Sequence, residues 1–219
     1  MKYAFYISGR SGRVIQFLKQ ATQCQINNIK CVISDFPVED ETRKIIEGCK
    51  IDCICFDRRN GGSSNKEKNL FFSNKMLSVL TEKKIDYCFS FGSHILCGEL
   101  LDVYENRIIN FHPAILPMFP GLYALDQALD CENTFLVGNT AHFIDKGVDS
   151  GPVIMQSVMP IKDFRDTEDY SSVLDVQIEM LNRLILIIDN NRLEVINNTV
   201  NIIGANYQKW NIYPDLGSI

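Results

Sequence analysis

A chain of 219 residues, 46% hydrophobic and 22% charged, is long enough to bury a sizeable core in one large domain, or in one domain with a small appendage. Its net charge of −5 excludes a general nucleic-acid surface, which needs a basic face, while leaving room for one phosphorylated ligand held by a local basic cluster. No apolar run reaches the length of a membrane span, and Met1–Ile7 is far too short for the apolar core of a signal peptide, so a cytoplasmic location is the default expectation.

In chain order, Tyr3–Ile7 is an apolar run that predicts a buried first strand. It ends at Ser8-Gly9-Arg10-Ser11-Gly12-Arg13, after which Val14, Phe17, Leu18 and Ala21 recur at helical spacing. A glycine-containing turn before a helix N-terminus is where backbone N–H groups and the helix dipole attract an anion, and two arginines add to that pull. A tight strand-to-helix connection with no ligand accounts for the same residues, since the turn is neither a Walker A loop nor a clean Gly-x-Gly-x-x-Gly. Ile29–Ile33 reads as a second strand, 40–48 as a short helix and Asp52–Phe56 as a third strand. The stretch from Arg58 to Lys68 is polar, rich in Gly and Ser, and carries four cations, which predicts a mobile loop. Phe72, Met76, Val79 and Leu80 then describe an amphipathic helix, and 86–91 a fourth strand.

Strand and helix patterns alternating at this spacing call for an α/β domain with a parallel sheet and helices on both faces. Ligands in such sheets sit beyond the carboxyl ends of the strands, where the loops at Ser8, Phe91 and His112 would lie. At the last of these, Ile108-Ile109 feeds Asn110 and His112, whose i, i+2 spacing puts both side chains on one face of a strand that Pro113 stops. Farther on, Asp145-Lys-Gly-Val-Asp-Ser-Gly-Pro152 offers Asp149 in a glycine-rich turn ahead of a strand over 152–158. An amide, a titratable ring and a carboxylate are a usable kit for acyl transfer: two stabilise a developing oxyanion, and one orients the ring or takes a proton. Taken singly, a structural histidine and a turn-forming aspartate explain His112 and Asp149 as well.

In the remainder, 122–130 reads as a helix and 139–144 as a strand carrying His142. Asp166-Thr-Glu-Asp169 has the look of a helix N-cap, and Leu174, Ile178, Leu181, Ile185 and Ile188 step by fours and threes along a long helix. Asn197-Asn198 between 192–196 and 199–203 is a hairpin signal. The tail to Ile219, with Trp210 and Tyr213, is expected to pack on the same domain or on a partner subunit, which keeps a homodimer open. The eight cysteines are scattered without zinc-ligand spacing, so they read as buried, reduced core residues and no metal is expected.

The two blocks Asn110-Phe-His-Pro-Ala-Ile-Leu-Pro-Met-Phe-Pro-Gly121 and Gly138-Asn-Thr-Ala-His-Phe-Ile-Asp-Lys-Gly-Val-Asp-Ser-Gly-Pro152 together resemble the pattern of the formyltetrahydrofolate-dependent formyltransferases. The resemblance implies a Rossmann-like formyltransferase fold, a mostly parallel twisted sheet with a short C-terminal helix and hairpin. Residues 1–189 would be the catalytic domain, with 190–219 a hairpin and tail packed on it. It further implies 10-formyltetrahydrofolate as co-substrate and a small phosphorylated amine as acceptor, with Asn110, a protonated His112 and Asp149 as the catalytic group. The folate pocket would draw on His94, Ile95 and Leu96 and on the backbone of Ile144, Asp145 and Val148. His94 stands where the purine enzymes carry arginine, a change that main-chain contacts to the pterin would survive. The acceptor side would comprise Gly9, Arg10, Ser11, Gly12, Arg13, Pro113, Gly121 and His142, and in the family the region equivalent to the 58–68 loop approaches the acceptor's phosphate. Because the first turn departs from the Gly-Asn-Gly-Ser-Asn of the purine enzyme, an amino-deoxysugar nucleotide is the favoured acceptor. Phosphoribosylglycinamide is the alternative, favoured by Leu116-Pro-Met-Phe-Pro-Gly121. A noncatalytic folate- or phosphate-binding module is the reading from a different class.

Overall fold

Tyr3–Ile7 is apolar at every position and forms β1, buried along its whole length. The structure, a computed structural model, describes residues 1–167, 169–209 and 213. Parallel to β1 lie β2 (Ile29–Ser34) on one side and β4 (Tyr87–Phe91) on the other. β3 (Asp52–Cys55) extends the sheet beyond β2, and β5 (Ile108–His112) beyond β4, both also parallel. With β6 (Leu136–Phe143) and β7 (Val153–Pro160), an antiparallel pair, the seven-stranded sheet has the order β3-β2-β1-β4-β5-β6-β7. The fold is thus mostly parallel α/β, as the alternating pattern predicts. Contacts divide the chain into two units, Met1–Asn110 with Phe143–Gly151, and Phe111–His142 with Pro152–Ile219.

In the first unit, α1 (Gly12–Gln20) starts at Ser11, whose hydroxyl accepts from the Val14 N–H, and buries Val14, Phe17 and Leu18. Phe5 lies 5.6 Å from Phe17 and 5.9 Å from Phe89, ring centre to ring centre, and each such ring stabilises the fold by about 1.5–3 kcal/mol on burial. Two short helices have no counterpart in the periodicity: α2 (Gln23–Asn28), started by a capping box between Thr22 and Gln25, and α5 (Glu99–Val103). α3 spans Asp40–Gly48. The stretch read as a mobile loop is ordered into elements. A 3₁₀ turn covers Arg58–Gly61, and α4 (Asn65–Glu82) begins within the stretch. The cause is a second capping box: the Ser64 hydroxyl accepts from the Glu67 N–H, and the Glu67 carboxylate reaches back to the Ser64 N–H. Arg58 is buried and donates to the Asn69 side chain at 2.7 Å.

In the second unit, α6 covers Ala124–Asp130, and α7 (Lys162–Thr167) occupies residues expected to lie ahead of a helix. The long helix α8 (Ser171–Asp189) has Tyr170 at its N-cap, and the Asp169 carboxylate just before it accepts from the Ser171 N–H at 2.8 Å; 166–169 is therefore not the N-cap, since Asp166 and Thr167 belong to α7. β8 (Leu193–Ile196) and β9 (Thr199–Ile202) form the expected hairpin, with Asn197 and Asn198 both at positive φ as a tight primed turn requires. Tyr213 is half-buried, and Trp210 lies outside the described residues. Among the cysteines, Cys31 and Cys88 are buried but Cys24 and Cys131 are exposed, so the expectation of a uniformly buried set fails at helix and turn positions that face water; all eight are free thiols. No helix among the described residues is long and apolar enough to cross a membrane.

Candidate active site

Asn110 and His112 sit two residues apart at the carboxyl end of β5, so the alternation of the strand turns both to one face. Asn110 pairs in register with Ser90 of β4 and is partly buried; His112 is 4% exposed. The His112 Nε2 lies 2.8 Å from the carbonyl oxygen of Phe119. A carbonyl can only accept, so Nε2 carries the proton of that bond and the ring is oriented by it.

The segment leading to that carbonyl is anchored near its start by buried polar contacts in the second unit. Thr140, on β6 and fully buried, donates to the Ala114 carbonyl at 2.7 Å and accepts from the Leu116 N–H at 3.0 Å. Gln156 lies opposite Thr140 in the β6–β7 register; its amide donates to the Leu116 carbonyl at 2.9 Å and to the Thr140 hydroxyl at 3.0 Å. One threonine and one glutamine thus pin the loop that runs from Pro113 to Gly121. Deeper in, the Gln177 amide on α8 donates to the Asn139 side chain at 2.7 Å and to the Phe111 carbonyl at 3.4 Å, and Asn139 donates to the Val173 carbonyl. The backbone between Asn110 and His112 is tied to α8 in this way. None of Thr140, Gln156, Gln177 and Asn139 stands out in a motif search. Gln177 alone left a signal, a polar residue in line with the inward positions Val173, Leu181 and Leu184.

The residues assigned to the folate pocket gather in the first unit. Leu96 is 3% exposed and Ile144 packs against the same apolar cluster, which includes Tyr6, Leu100 and Ile108. The Ile144 N–H donates to the Ile108 carbonyl, which fixes the start of the 145–151 turn beside β5. Within the turn Asp145 accepts from the Ser150 hydroxyl at 2.9 Å and the Gly147 N–H at 3.0 Å, so its carboxylate is engaged in holding the turn. Asp149 is partly buried with φ +49°. Ile95 and Val148, one on each of these two segments, are apolar yet 56% exposed. The His94 ring is drawn onto Asp35, with Nδ1 2.7 Å from Oδ2.

The 8–13 turn also belongs to the first unit. The Ser8 hydroxyl accepts from the Ser93 N–H at 2.9 Å, and the Gly9 N–H donates to Ser34 at 3.0 Å, so the loops after β1, β2 and β4 meet at one edge. Arg10 pairs with Glu39 in solvent, whereas the Arg13 guanidinium lies 5.0 Å over the Phe91 ring, and burial lowers its pKa. In the second unit, Pro113 is partly buried, Gly121 has φ +85°, and His142 is 2% exposed in β6 where the register against β7 shifts. No cluster of His, Cys, Asp or Glu suited to a metal occurs among the described residues.

Comparison with known proteins gives a consistent picture. A phosphoribosylglycinamide formyltransferase of Bacillus subtilis is 35% identical over 102 residues, 46% of this chain and 51% of that protein. A trifunctional purine biosynthetic protein adenosine-3 of Drosophila pseudoobscura pseudoobscura is 40% identical over 81 residues, 37% of this chain and 6% of that protein. The matched segments thus span about half, or far less, of the length of these curated relatives. Among solved structures, glycinamide ribonucleotide transformylase 1 of Symbiobacterium toebii superposes with a TM-score of 0.76 at 25% identity, over 92% of this chain and 93% of that one. Residues 1–185 match the formyl transferase family, and the chain belongs to that family.

Proposed function

We propose that this chain transfers the formyl group of 10-formyltetrahydrofolate to the amine of phosphoribosylglycinamide. The observation that carries the reading is the end of β5, where Asn110 and His112 share one face and the His112 ring is locked through Nε2 to the Phe119 carbonyl. The unprotonated amine attacks the formyl carbon, a C–N bond forms, and negative charge builds on the formyl oxygen. Collapse then breaks the bond to N10 of the donor, N10 takes up a proton in exchange for the one the amine gives up, and tetrahydrofolate is released. Asn110 donates a hydrogen bond to the oxygen. The His112 ring, oriented by the bond from Nε2–H to the Phe119 carbonyl, is by the family resemblance the second donor, acting as the imidazolium. By the family resemblance Asp149 accepts the amine's proton, directly or through water. Each donor in such a site contributes about 3–4 kcal/mol to lowering the barrier.

The exposed apolar side chains of Ile95 and Val148 suit a flat pterin lying between their segments. Burial disfavours the charged form of Arg13, so its guanidinium gains when an anion such as the acceptor's phosphate approaches. The names of the Bacillus and Symbiobacterium relatives favour phosphoribosylglycinamide over the amino-deoxysugar nucleotide that the first turn suggests. The sugar nucleotide is the second reading, favoured by Arg10 and Arg13 in that turn. The test is a steady-state assay of tetrahydrofolate release with 10-formyltetrahydrofolate and a panel of amines. Turnover with phosphoribosylglycinamide is expected. Turnover with amino-sugar nucleotides alone overturns the acceptor, and turnover with no amine overturns the activity.

A further inference from the structure

Asp35 follows the last residue of β2 and is fully buried, an expensive place for a carboxylate. Its Oδ2 takes two donors: the Tyr6 hydroxyl at 2.7 Å from β1 and the His94 Nδ1 at 2.7 Å from the segment after β4. Among the described residues its Oδ1 has no hydrogen-bond partner, so the carboxylate leans on these two donors. The Tyr6 hydroxyl also lies 3.5 Å from the His94 carbonyl, and the Tyr6 ring fills the space beneath Gly92, where an added Cβ would stand 2.1 Å from the ring. Burial and the Asp35 charge push the Tyr6 pKa well above its ordinary value, so its O–H stays a donor at any working pH. The His94 ring lies 5.5 Å from the Phe36 ring, over which the Arg59 guanidinium also stands at 5.2 Å. One buried carboxylate and one tyrosine therefore hold the side chain, and approach the backbone, of the residue that opens the 94–96 segment.

We propose that Tyr6, Asp35 and His94 are positioning residues that set the shape of the 92–96 backbone for the formyl donor, and so govern donor affinity without entering the chemistry. This rests on the reading of 94–96 as part of the donor site. The His94 side chain is turned inward to Asp35, and its part in donor binding is indirect.

The experiment uses the full chain and three variants, Tyr6→Phe, His94→Ala and His94→Asn. Calorimetric titration with tetrahydrofolate is run beside kinetics with 10-formyltetrahydrofolate, and circular dichroism and thermal unfolding report the fold. Tyr6→Phe keeps the ring beneath Gly92 and removes only the hydroxyl. It and His94→Ala are expected to weaken tetrahydrofolate binding and raise KM for the donor roughly tenfold or more, as for loss of a charge-assisted hydrogen bond, with kcat within about twofold. His94→Asn, which retains an N–H near the Nδ1 position, is expected to restore most of the affinity. Donor affinity unchanged in Tyr6→Phe and His94→Ala while the parent binds tetrahydrofolate overturns the proposal, as does a fall confined to kcat. A parent chain that binds no tetrahydrofolate overturns instead the donor-site reading on which it rests.

Discussion

Thr140→Val isolates the pin behind His112, because valine keeps the shape of threonine and removes only the hydroxyl. That oxygen is fully buried and serves three bonds, to the Ala114 carbonyl, the Leu116 N–H and the Gln156 amide. Gln156 keeps its second acceptor, the Leu116 carbonyl, so two backbone groups lose a partner. Ala114 and Leu116 are 3% and 7% exposed, which leaves those groups little access to water. Two orphaned buried groups cost roughly 2–4 kcal/mol in all, and for a chain of this size that lowers Tm by roughly 5–15 °C. Loosening the 113–121 loop also frees the Phe119 carbonyl that locks His112, so kcat is expected to fall by about ten- to a hundredfold. Urea unfolding and formyl-transfer kinetics measure the two effects, with Thr140→Ser, which keeps the hydroxyl, as the control. If the valine variant is as stable and as fast as the serine one, the hydroxyl is not the pin and the account of His112 orientation fails.

Asn110→Ala, His112→Ala and Asp149→Asn should each keep the far-ultraviolet spectrum of the parent and lose turnover by at least about a hundredfold, the usual effect of removing one oxyanion donor; near-parental kcat in all three removes the mechanism. Gln177→Leu, at a fully buried position, strands the Asn139 carbonyl oxygen, and is expected to destabilise by about 1–3 kcal/mol in chemical denaturation. An unchanged midpoint would show that the network linking α8 to β5 contributes nothing. The bonds from Ser63 and Ser64 hold the Glu67 carboxyl below its ordinary 4.5, so the capping box stabilises the fold fully above that pH and progressively less as pH falls through the folded value. The stability gap between the parent and Glu67→Gln should therefore narrow below about pH 4.5, whereas a gap that widens on acidification contradicts the assignment.

Much of the first unit was legible because its strands are short apolar runs bounded by Gly, Pro and Asp, and its main helices carry clean stripes. α2 and α5 span too few turns for periodicity to register; the Thr22/Gln25 capping box could have announced α2, whereas α5, capped by Gly98 with no side-chain bond, left no such signal. The 58–68 stretch misled because charge and glycine outweighed the Ser64/Glu67 pair, which is itself a readable helix start. Asn110, His112 and Asp149 were visible as residue types in an ordered pattern. Their supports were not, since the pairing of Thr140 with Gln156 depends on the β6–β7 register, and Tyr6, Asp35 and His94 come from three strand ends up to 88 positions apart. Bonds of that kind are written in the sheet order, which no local window of sequence contains.

The fit of the Tyr6 ring beneath Gly92 also constrains how this chain can drift. A side chain at position 92 cannot be accommodated while position 6 is aromatic, whereas a smaller residue at position 6 opens the space first. Divergence at the two sites therefore has a preferred order, with change at 6 preceding change at 92. Descendants that kept tyrosine are expected to have kept glycine.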